Sequence, residues 1–344
     1  MGVAFKDLIV SNEISIDDLN NKILAVDAYN TIFQFLTTIR SRDGSPLMDS
    51  KGRVTSHLVG LFSRTANLMQ KGLKLIFVFD GEAPKLKQKT AEKRKELKQE
   101  AERRYQEALE RKDIKDMKKY AARTSKLTED IILESKKLVE CLGLPIVQAP
   151  SEAEAQAAYI VGKGNAFAAV SQDYDSLIHG SLKLVRNLSI SGKRKKTDTI
   201  SYTTVKPEMI DLAENLNNLG IDQNQLIALA MLIGTDYDPG GIKGVGPKNA
   251  LKLVKSHKTD FDALFKEVKW DDFFDFGWEE VFYLIKKIPV TDNYTIEWRG
   301  IAIENIKKLL VDEHDFSEER VDGTLEKLNS HSPGKKQKGL SEFF

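Results

Sequence analysis

Seven carboxylates in this chain fall where a folded sheet would gather them. Lys22-Ile-Leu-Ala-Val-Asp27 and Leu75-Ile-Phe-Val-Phe-Asp80 each end an apolar run in an aspartate. Ala168-Ala-Val-Ser-Gln-Asp173-Tyr-Asp175 ends one in a pair, and Ile146-Val-Gln-Ala-Pro-Ser151-Glu152-Ala-Glu154 ends one with two glutamates that open a helix. Asp236, in Leu232-Ile-Gly-Thr-Asp236-Tyr, adds a seventh at the end of a helical run. In an open parallel sheet, the C-terminal strand edges converge on one crevice where ligands bind. Taken singly, each acid has a plain structural reading. Asp27 and Asp80 could begin turns, and Ser151-x-x-Glu154 is a capping box. Taken together they repel. One pair at ~4 Å with an effective dielectric near 20 costs about 4 kcal/mol. Several such pairs rival a whole-domain stability of about 5–15 kcal/mol unless cations sit between them.

Oxygen-only ligands select hard cations such as Mg²⁺ or Mn²⁺. The five histidines (His57, His179, His257, His314, His331) are scattered and form no zinc spacing. Two divalent ions about 3.5–4 Å apart would clamp the attacking and leaving oxygens of a phosphodiester. Seven acids against two such ions (−7 + 4) leave a deficit of three charges, so nearby cations should help to hold a phosphate. Lys87 and Arg94 lie seven apart, two helical turns on one face, in the stretch after Asp80. By themselves they read as surface charges; beside the acids they read as phosphate contacts.

The elements that must position these groups are legible as an α/β pattern. Ile23–Val26, Leu75–Phe79, Ile146–Val147, Ala166–Val170 and Leu182–Val185 read as buried, mostly parallel strands alternating with helices. The expected fold is a central sheet covered by helices on both faces. From Lys85 to Leu142 there is neither Gly nor Pro for 58 residues, so nothing breaks helices there. The first part shows only a narrow stripe (Leu97, Ala101, Tyr105, Leu109), and the second (Leu127, Ile131, Leu138, Leu142) a core-facing one. Residues 85–126 carry 16 Lys/Arg against 8 Asp/Glu, a local net of +8 in a chain whose total is +1. Bulk charge therefore excludes histone-like binding, and any nucleic-acid surface must come from local segregation. After about residue 205 the pattern turns helical. Residues 261–300 hold 11 of the 28 aromatics, among them Trp270, Trp278 and Trp298, and these are assigned to packing rather than to base stacking.

At 344 residues and 41% apolar content the chain can bury a sizeable core. One cysteine, Cys141, excludes an intramolecular disulfide framework and suggests a reducing compartment. No apolar run approaches a membrane span, and Met1-Gly2-Val3-Ala4-Phe5-Lys6 is neither a signal peptide nor a myristoylation site. An intracellular location, cytoplasmic or nucleoid, is expected. Gly241-Ile-Lys243-Gly244-Val-Gly246-Pro-Lys248-Asn-Ala250 reads as the hairpin of a helix–hairpin–helix over about 222–260. Its glycines permit a tight turn, Pro247 suits a first helical position, and the amides with Lys243 and Lys248 suit a DNA phosphate.

With these motifs in order, the chain resembles the archaeal flap endonucleases, the structure-specific 5′ nucleases, over essentially its whole length. The matching motifs are Val26-Asp27-Ala28, Phe79-Asp80-Gly81, Pro150-Ser-Glu-Ala-Glu-Ala155, Asp173-Tyr-Asp175, Gly234-Thr-Asp236-Tyr237 and Gly244-Val-Gly246. The resemblance implies that Asp27, Asp80, Glu152, Glu154, Asp173, Asp175 and Asp236 hold two Mg²⁺ ions, with Mn²⁺ as a substitute. It implies that Lys87 and Arg94 draw the scissile phosphate onto the metals, and that residues 85–126 form the arch passed by a single-stranded 5′ flap. Phe33 sits where the family has an aromatic that stacks on a base beside the scissile bond; some relatives carry Tyr there. Gly2 matches an N-terminal glycine close to the active site. Gly44–His57 corresponds to the region near a one-nucleotide 3′-flap pocket. Arg40 and Arg64 join Lys243, Gly244, Gly246 and Lys248 as candidate DNA contacts.

A nuclease core over 1–330, a linker over 331–336 and a docking tail over 337–344 complete the expected organisation. Gln337-Lys-Gly-Leu340-Ser-Glu-Phe343-Phe344 resembles the sliding-clamp docking box. Gln337 would hydrogen-bond at the rim of a hydrophobic pocket while Leu340, Phe343 and Phe344 insert into it. The protein alone is expected to be a monomer. The expected activity is Mg²⁺-dependent 5′-flap endonuclease, with 5′–3′ exonuclease activity, in replication and repair. A Mg²⁺ phosphohydrolase or Toprim-like enzyme would place Asp-x-Asp earlier relative to the glutamates, and a clamp-bound scaffold would have lost some of the seven acids. Replacing Asp175 or Asp80 with Ala should abolish cleavage of a labelled flap while sparing flap binding; full activity in either variant would contradict the metal-ligand assignment.

Overall fold

The computed structural model describes residues 3–41, 43–111, 113–121, 124–189, 192–195 and 202–330; of residues 88–94, 114–115, 118, 121, 192–195, 202–204 and 330 it describes the backbone alone. Nine strands occur among them: β1 (Asn12–Glu13), β2 (Ile23–Asp27), β3 (Lys74–Phe79), β4 (Ile146–Gln148), β5 (Ala168–Val170), β6 (Lys183–Arg186), β7 (Gly192–Lys195), β8 (Tyr202–Val205) and β9 (Glu208–Asp211). Seven make one sheet in the order β1-β9-β6-β5-β2-β3-β4, and β7 pairs with β8 as a separate hairpin. The pairings β6–β5, β5–β2, β2–β3 and β3–β4 are parallel, and only β9 runs against its two neighbours.

Side chains alternate between faces along each strand, and here both faces are covered. Leu24, Val26, Leu75, Phe77 and Phe79 pack into one core with α1 (Ala28–Thr38). On that side lie also α2 (Ser56–Gly60) and α3 (Ala66–Gln70), joined by one π-helical turn. Ala25, Ile76 and Val78 face a second core. The five apolar runs of the sequence are thus the five strands of the parallel part of the sheet, in register from Leu24↔Leu75 to Leu184↔Ala169.

Between β3 and β4 the chain makes three helices, α4 (Lys87–Glu110), α5 (Ile114–Ala121) and α6 (Glu129–Cys141). The helix pair α4–α5 is the basic excursion. Its buried face differs from the expected stripe. Ala101 and Ala108 are buried together with Met117 and Tyr120, whereas Leu97 and Leu109 are exposed. Residues seven apart return to the same helix face, while a run of i+4 steps drifts around it. Part of the charge is paired along the helix, with Glu100 between Arg103 and Arg104. α6 carries Ile131 and Leu138, together with its C-cap residue Leu142, into the first core.

The remaining helices are α7 (Ala153–Gly162), α8 (Asp175–Ile178), α9 (Leu212–Leu219), α10 (Gln223–Ile233), α11 (Pro247–His257), α12 (Phe261–Glu267), α13 (Trp278–Lys286), α14 (Ile303–Lys307) and α15 (Glu318–Ser330). The switch to helix after residue 205 comes later than expected, because β9 intervenes. Its four residues, Glu-Met-Ile-Asp, are too few to display a period, and only Ile210 is fully buried. Most aromatics of 261–300 are packing groups, with only Phe273 and Tyr283 exposed. Phe265 stacks on Trp278 at 4.8 Å, and the buried Trp270 donates from Nε1 to the Phe276 carbonyl at 2.8 Å. Among the described residues no helix is long and apolar enough to cross a membrane.

Candidate active site

All seven acids line one cavity of about 840 Å³. Asp27 and Asp80 stand at the C-terminal ends of β2 and β3, and Asp173 and Asp175 follow β5. Glu152 and Glu154 sit at the start of α7, and Asp236 on the turn after α10. One carboxylate oxygen from each of Glu154, Asp173 and Asp175 lies within 4.8 Å of the others. Lys87, Phe33, Tyr29 and Asn30 line the same space, and Leu97, Lys98, Ala101 and Arg104 of α4 form its far wall.

Local hydrogen bonds aim these groups. Asp27 Oδ1 accepts from the Asn30 N–H at 3.0 Å and so caps α1. Asp80 Oδ1 accepts from the Ala153 N–H at 2.6 Å, tying the end of β3 to the start of α7. Asp175 Oδ1 accepts from the Val3 N–H at 2.9 Å. The expected capping box of α7 does not form. Glu152 is the N-cap residue without a side-chain cap, and the Ser151 hydroxyl donates to the Glu82 carbonyl at 3.1 Å instead. Glu154 is thereby released from the capping role that would have explained it.

Burial and mutual repulsion strain the ionised state. Burial, then the Asp80 carboxylate, push Asp27 up to about 8. Burial, opposed by the Val3 N–H and reinforced by Asp173 and Asp236, pushes Asp175 up to about 7. Burial together with Asp175, Asp27 and Asp173 holds Glu154 well above the ordinary glutamate range. Lys87 moves the other way: burial alone would lower it, but Glu152 and Asp236 outweigh burial and hold the ammonium above its ordinary value. Its Nζ bonds Glu152 Oε1 and lies 3.3 Å from Asp236 Oδ2. A set of convergent oxygen donors, proton-hungry for want of positive charge, fits hard divalent cations.

Three residues of the site escape a search for acids and bases. Asn30 donates from Nδ2 to Asp173 Oδ2 at 3.0 Å while its Oδ1 accepts from the Gln172 N–H at 3.1 Å. The Ser171 hydroxyl stands between Asp27 Oδ2 at 3.3 Å and Glu154 Oε1 at 3.5 Å. Tyr237 donates to Glu152 Oε2. Only Tyr237 had a sequence signal, as part of the Gly-Thr-Asp-Tyr motif.

The other expected contacts are placed as follows. Phe33 is 39% exposed in the cavity wall, with the Lys98 ammonium 5.7 Å from its ring centre. Arg40 stands apart from the acids, lining a second cavity of about 760 Å³, where its guanidinium bonds the Thr37 carbonyl at 3.2 Å, the Gly44 carbonyl at 2.8 Å and the Ser125 hydroxyl. Arg64 is exposed on the π turn between α2 and α3. Lys243, Gly244, Gly246 and Lys248 are exposed where α11 begins, with Pro247 at its first position and Ala250 buried beneath. None of the four lines the acidic cavity. The Arg94 side chain, Gly2 and residues 337–344, with Gln337, Leu340, Phe343 and Phe344, lie outside the described residues.

Residues 2–101 match the XPG N-terminal domain and residues 143–236 the XPG I-region. Flap endonuclease 1 of Pyrococcus furiosus is 51% identical over 344 residues, covering all of this chain and 99% of that protein. The flap endonuclease 1 of Staphylothermus marinus is 47% identical over 352 residues, covering all of both. The chain belongs to the flap endonuclease family. Flap endonuclease-1 from Methanococcus jannaschii superposes with a TM-score of 0.74 at 43% identity, over 96% of this chain and 98% of that one. The catalytic core of Rad2, solved in complex with DNA substrate, shares the fold at 24% identity, with a TM-score of 0.70 over 95% of this chain and all of that one. The flap endonuclease cavity draws its acids from both matched segments, and the XPG I-region ends on Asp236 itself.

The raised carboxyls fix the sign of a pH effect. An acid whose folded pKa exceeds its unfolded value binds extra protons in the native state, so stability falls as pH rises between the two. For Asp27 and Asp175 the window runs from an ordinary aspartate value of 3.8 to about 8 and about 7. Metal-free protein should therefore melt at progressively lower temperature from pH 5 to pH 8. Added Mg²⁺ should raise the melting temperature by an increment that grows over the same range. A Mg²⁺ increment independent of pH, read by scanning calorimetry, would break this account.

Proposed function

We propose that this flap endonuclease cuts DNA at the junction between a single-stranded 5′ flap and duplex, using two Mg²⁺ ions held among Asp27, Asp80, Glu152, Glu154, Asp173, Asp175 and Asp236. The observation that carries this is the convergence of all seven acids, from five separate parts of the chain, on one cavity beside Lys87. Mn²⁺ is the expected substitute. When bound, the cations supply Lewis-acid stabilisation of the charge that develops on a phosphodiester undergoing displacement. Water attacks phosphorus in line, the bond to the 3′ oxygen breaks, and the 5′-phosphate stays on the downstream product.

The protein's own groups do the positioning. Lys87 presents its ammonium to the scissile phosphate, and Arg94, seven residues further along the chain, is assigned the same role from the family resemblance. Phe33 offers a ring for stacking the base beside the cut. The α4–α5 pair bounds the cavity on the side away from the sheet and acts as the arch passed by the single strand. The exposed amides and lysines at the start of α11, with Arg40 and Arg64, grip the duplex through its phosphates, so recognition follows shape rather than base sequence. The same site acting on recessed 5′ ends gives 5′–3′ exonuclease activity, and the two activities serve Okazaki-fragment maturation and repair inside the cell.

The protein works as a monomer that docks on a sliding clamp through Gln337, Leu340, Phe343 and Phe344. A labelled 5′-flap duplex carrying a one-nucleotide 3′ overhang should be cut at a single junction position in Mg²⁺ and left intact in EDTA. A small-molecule phosphate ester should not compete. Cleavage in EDTA, or turnover of the ester in place of the flap, would count against the assignment. Removing residues 337–344 should leave cleavage of a free flap within about twofold while abolishing stimulation by a clamp, because a short terminal box carries its affinity through a few anchors; unchanged clamp stimulation would remove the docking role.

A further inference from the structure

Tyr237 has no part in the chemistry described so far, yet it is 3% exposed and directed at a site residue. A carboxylate can only accept, so the phenol donates to Glu152 Oε2. Glu152, itself 6% exposed, takes Lys87 Nζ on its other oxygen. Lys87 Nζ in turn lies 3.3 Å from Asp236 Oδ2, and Asp236 is the residue before Tyr237. The contacts therefore close a ring: Tyr237 to Glu152, Glu152 to Lys87, Lys87 to Asp236, and back through one peptide bond. Three elements meet in it, the turn after α10, the start of α7 and the start of α4.

The turn that carries Asp236 and Tyr237 is built to hold still. Gly234 (φ +112°) and Gly241 (φ +56°) bring its two ends so close that a Cβ on Gly241 would sit 2.4 Å from the Ile233 carbonyl carbon. Inside it, Asp238 Oδ1 accepts from the Thr235 N–H at 3.1 Å and from the Thr235 hydroxyl. The Tyr237 N–H donates to the Thr235 hydroxyl oxygen at 3.1 Å. A rigid turn thus supplies both one partner for Lys87, Asp236, and the clamp, Tyr237, on its other partner, Glu152.

We propose that Tyr237 is a positioning residue for Lys87. By holding Glu152 Oε2 it stops the carboxylate from rotating, keeps Oε1 aimed at the ammonium, and so fixes Lys87 over the cavity. An ammonium has three protons; Glu152 takes one and Asp236 Oδ2 stands 3.3 Å away, which leaves at least one to meet a phosphate oxygen. The phenol acts on the reaction only through the lysine. The inference rests on the flap-cleavage reading of this site.

The test is a double-mutant cycle between Tyr237→Phe and Lys87→Ala on a 5′-flap substrate under single-turnover conditions with saturating Mg²⁺. Tyr237→Phe alone should slow cleavage by about tenfold to a hundredfold, the loss of one buried hydrogen bond to a charged group. Flap affinity in Ca²⁺ should change by less than about threefold, since the ring and its packing remain. In the Lys87→Ala background the same substitution should add less than about threefold. Tyr237→Met, which likewise lacks the hydroxyl, should show the same non-additivity with Lys87→Ala and serves if the Phe variant is poorly folded. A readout without metal or turnover is the acylation of Lys87 by an N-hydroxysuccinimide ester, followed by peptide mass spectrometry. It should be several-fold faster in Tyr237→Phe than in the unsubstituted protein, as expected for an ammonium that has lost its fixed partner. Equal losses in both backgrounds, or unchanged acylation, would overturn the role of Tyr237. Failure of the unsubstituted protein to cut any flap would instead tell against the activity, and the acylation result would still decide the contact.

Discussion

Mutual repulsion among the seven carboxylates is the constraint on which the rest of this structure turns. Left in water these groups would spread apart; the fold forces them into one cavity of about 840 Å³. Two devices make that tolerable before any cation arrives. Protons remain on Asp27, Asp175 and Glu154 at pH values where free carboxyls have lost them. Hydrogen bonds from backbone amides at Asn30, Ala153 and Val3 hold one oxygen each of Asp27, Asp80 and Asp175. Both devices act at the same cost: the site is stable only as long as positive charge, from protons or metal, is supplied. Cation affinity is thus written into the folding of the sheet edge.

The sheet solves the geometric half of the problem. β2 and β3 run parallel, so Asp27 and Asp80 emerge at the same edge, and β5 delivers Asp173 and Asp175 there too. Covering both faces with apolar helices leaves that edge as the place where polar groups can gather, although burial there still weighs on Asp27, Glu154 and Asp175. Lys87 is the exception that proves useful. It brings one positive charge into the cavity from α4, so the element that bounds the cavity also partly neutralises it.

How far this could be read from sequence depends on distance along the chain. Asp27 and Asp80 announce themselves because an apolar run and its terminal acid are contiguous, and the five buried strands are legible for the same reason. The capping box at Ser151-x-x-Glu154 misleads, since α7 takes Glu152 as its N-cap and the Ser151 hydroxyl donates to the Glu82 carbonyl, 69 residues away. β9 is invisible because its partner β1 is almost two hundred positions upstream and its own four residues show no period. Asn30, Ser171 and Tyr237 are missed for a related reason. Their meaning lies in partners 143, 144 and 85 residues away, and no spacing rule reaches that far. His57 and His314 make the point again. Scattered in sequence, they flank one carboxylate, Glu134, at 3.1 Å each.

The near-neutral total charge is the last piece of the same logic. A net of +1 conceals a pit of seven acids and, across it, a helical excursion with a surplus of eight positive charges. The opposition is productive because the two fields act on different parts of one polyanion. Positive charge on α4 and α5 attracts phosphates at long range, where the pit alone would repel them. At the floor of the cavity the sign reverses, and on the proposed reading a phosphate settles only where Lys87 or bound cations override the acids. On that reading a strand is drawn in everywhere along its backbone but held for chemistry at one phosphate, so the selectivity for a single position would come from the pattern of charge and need no reading of the bases.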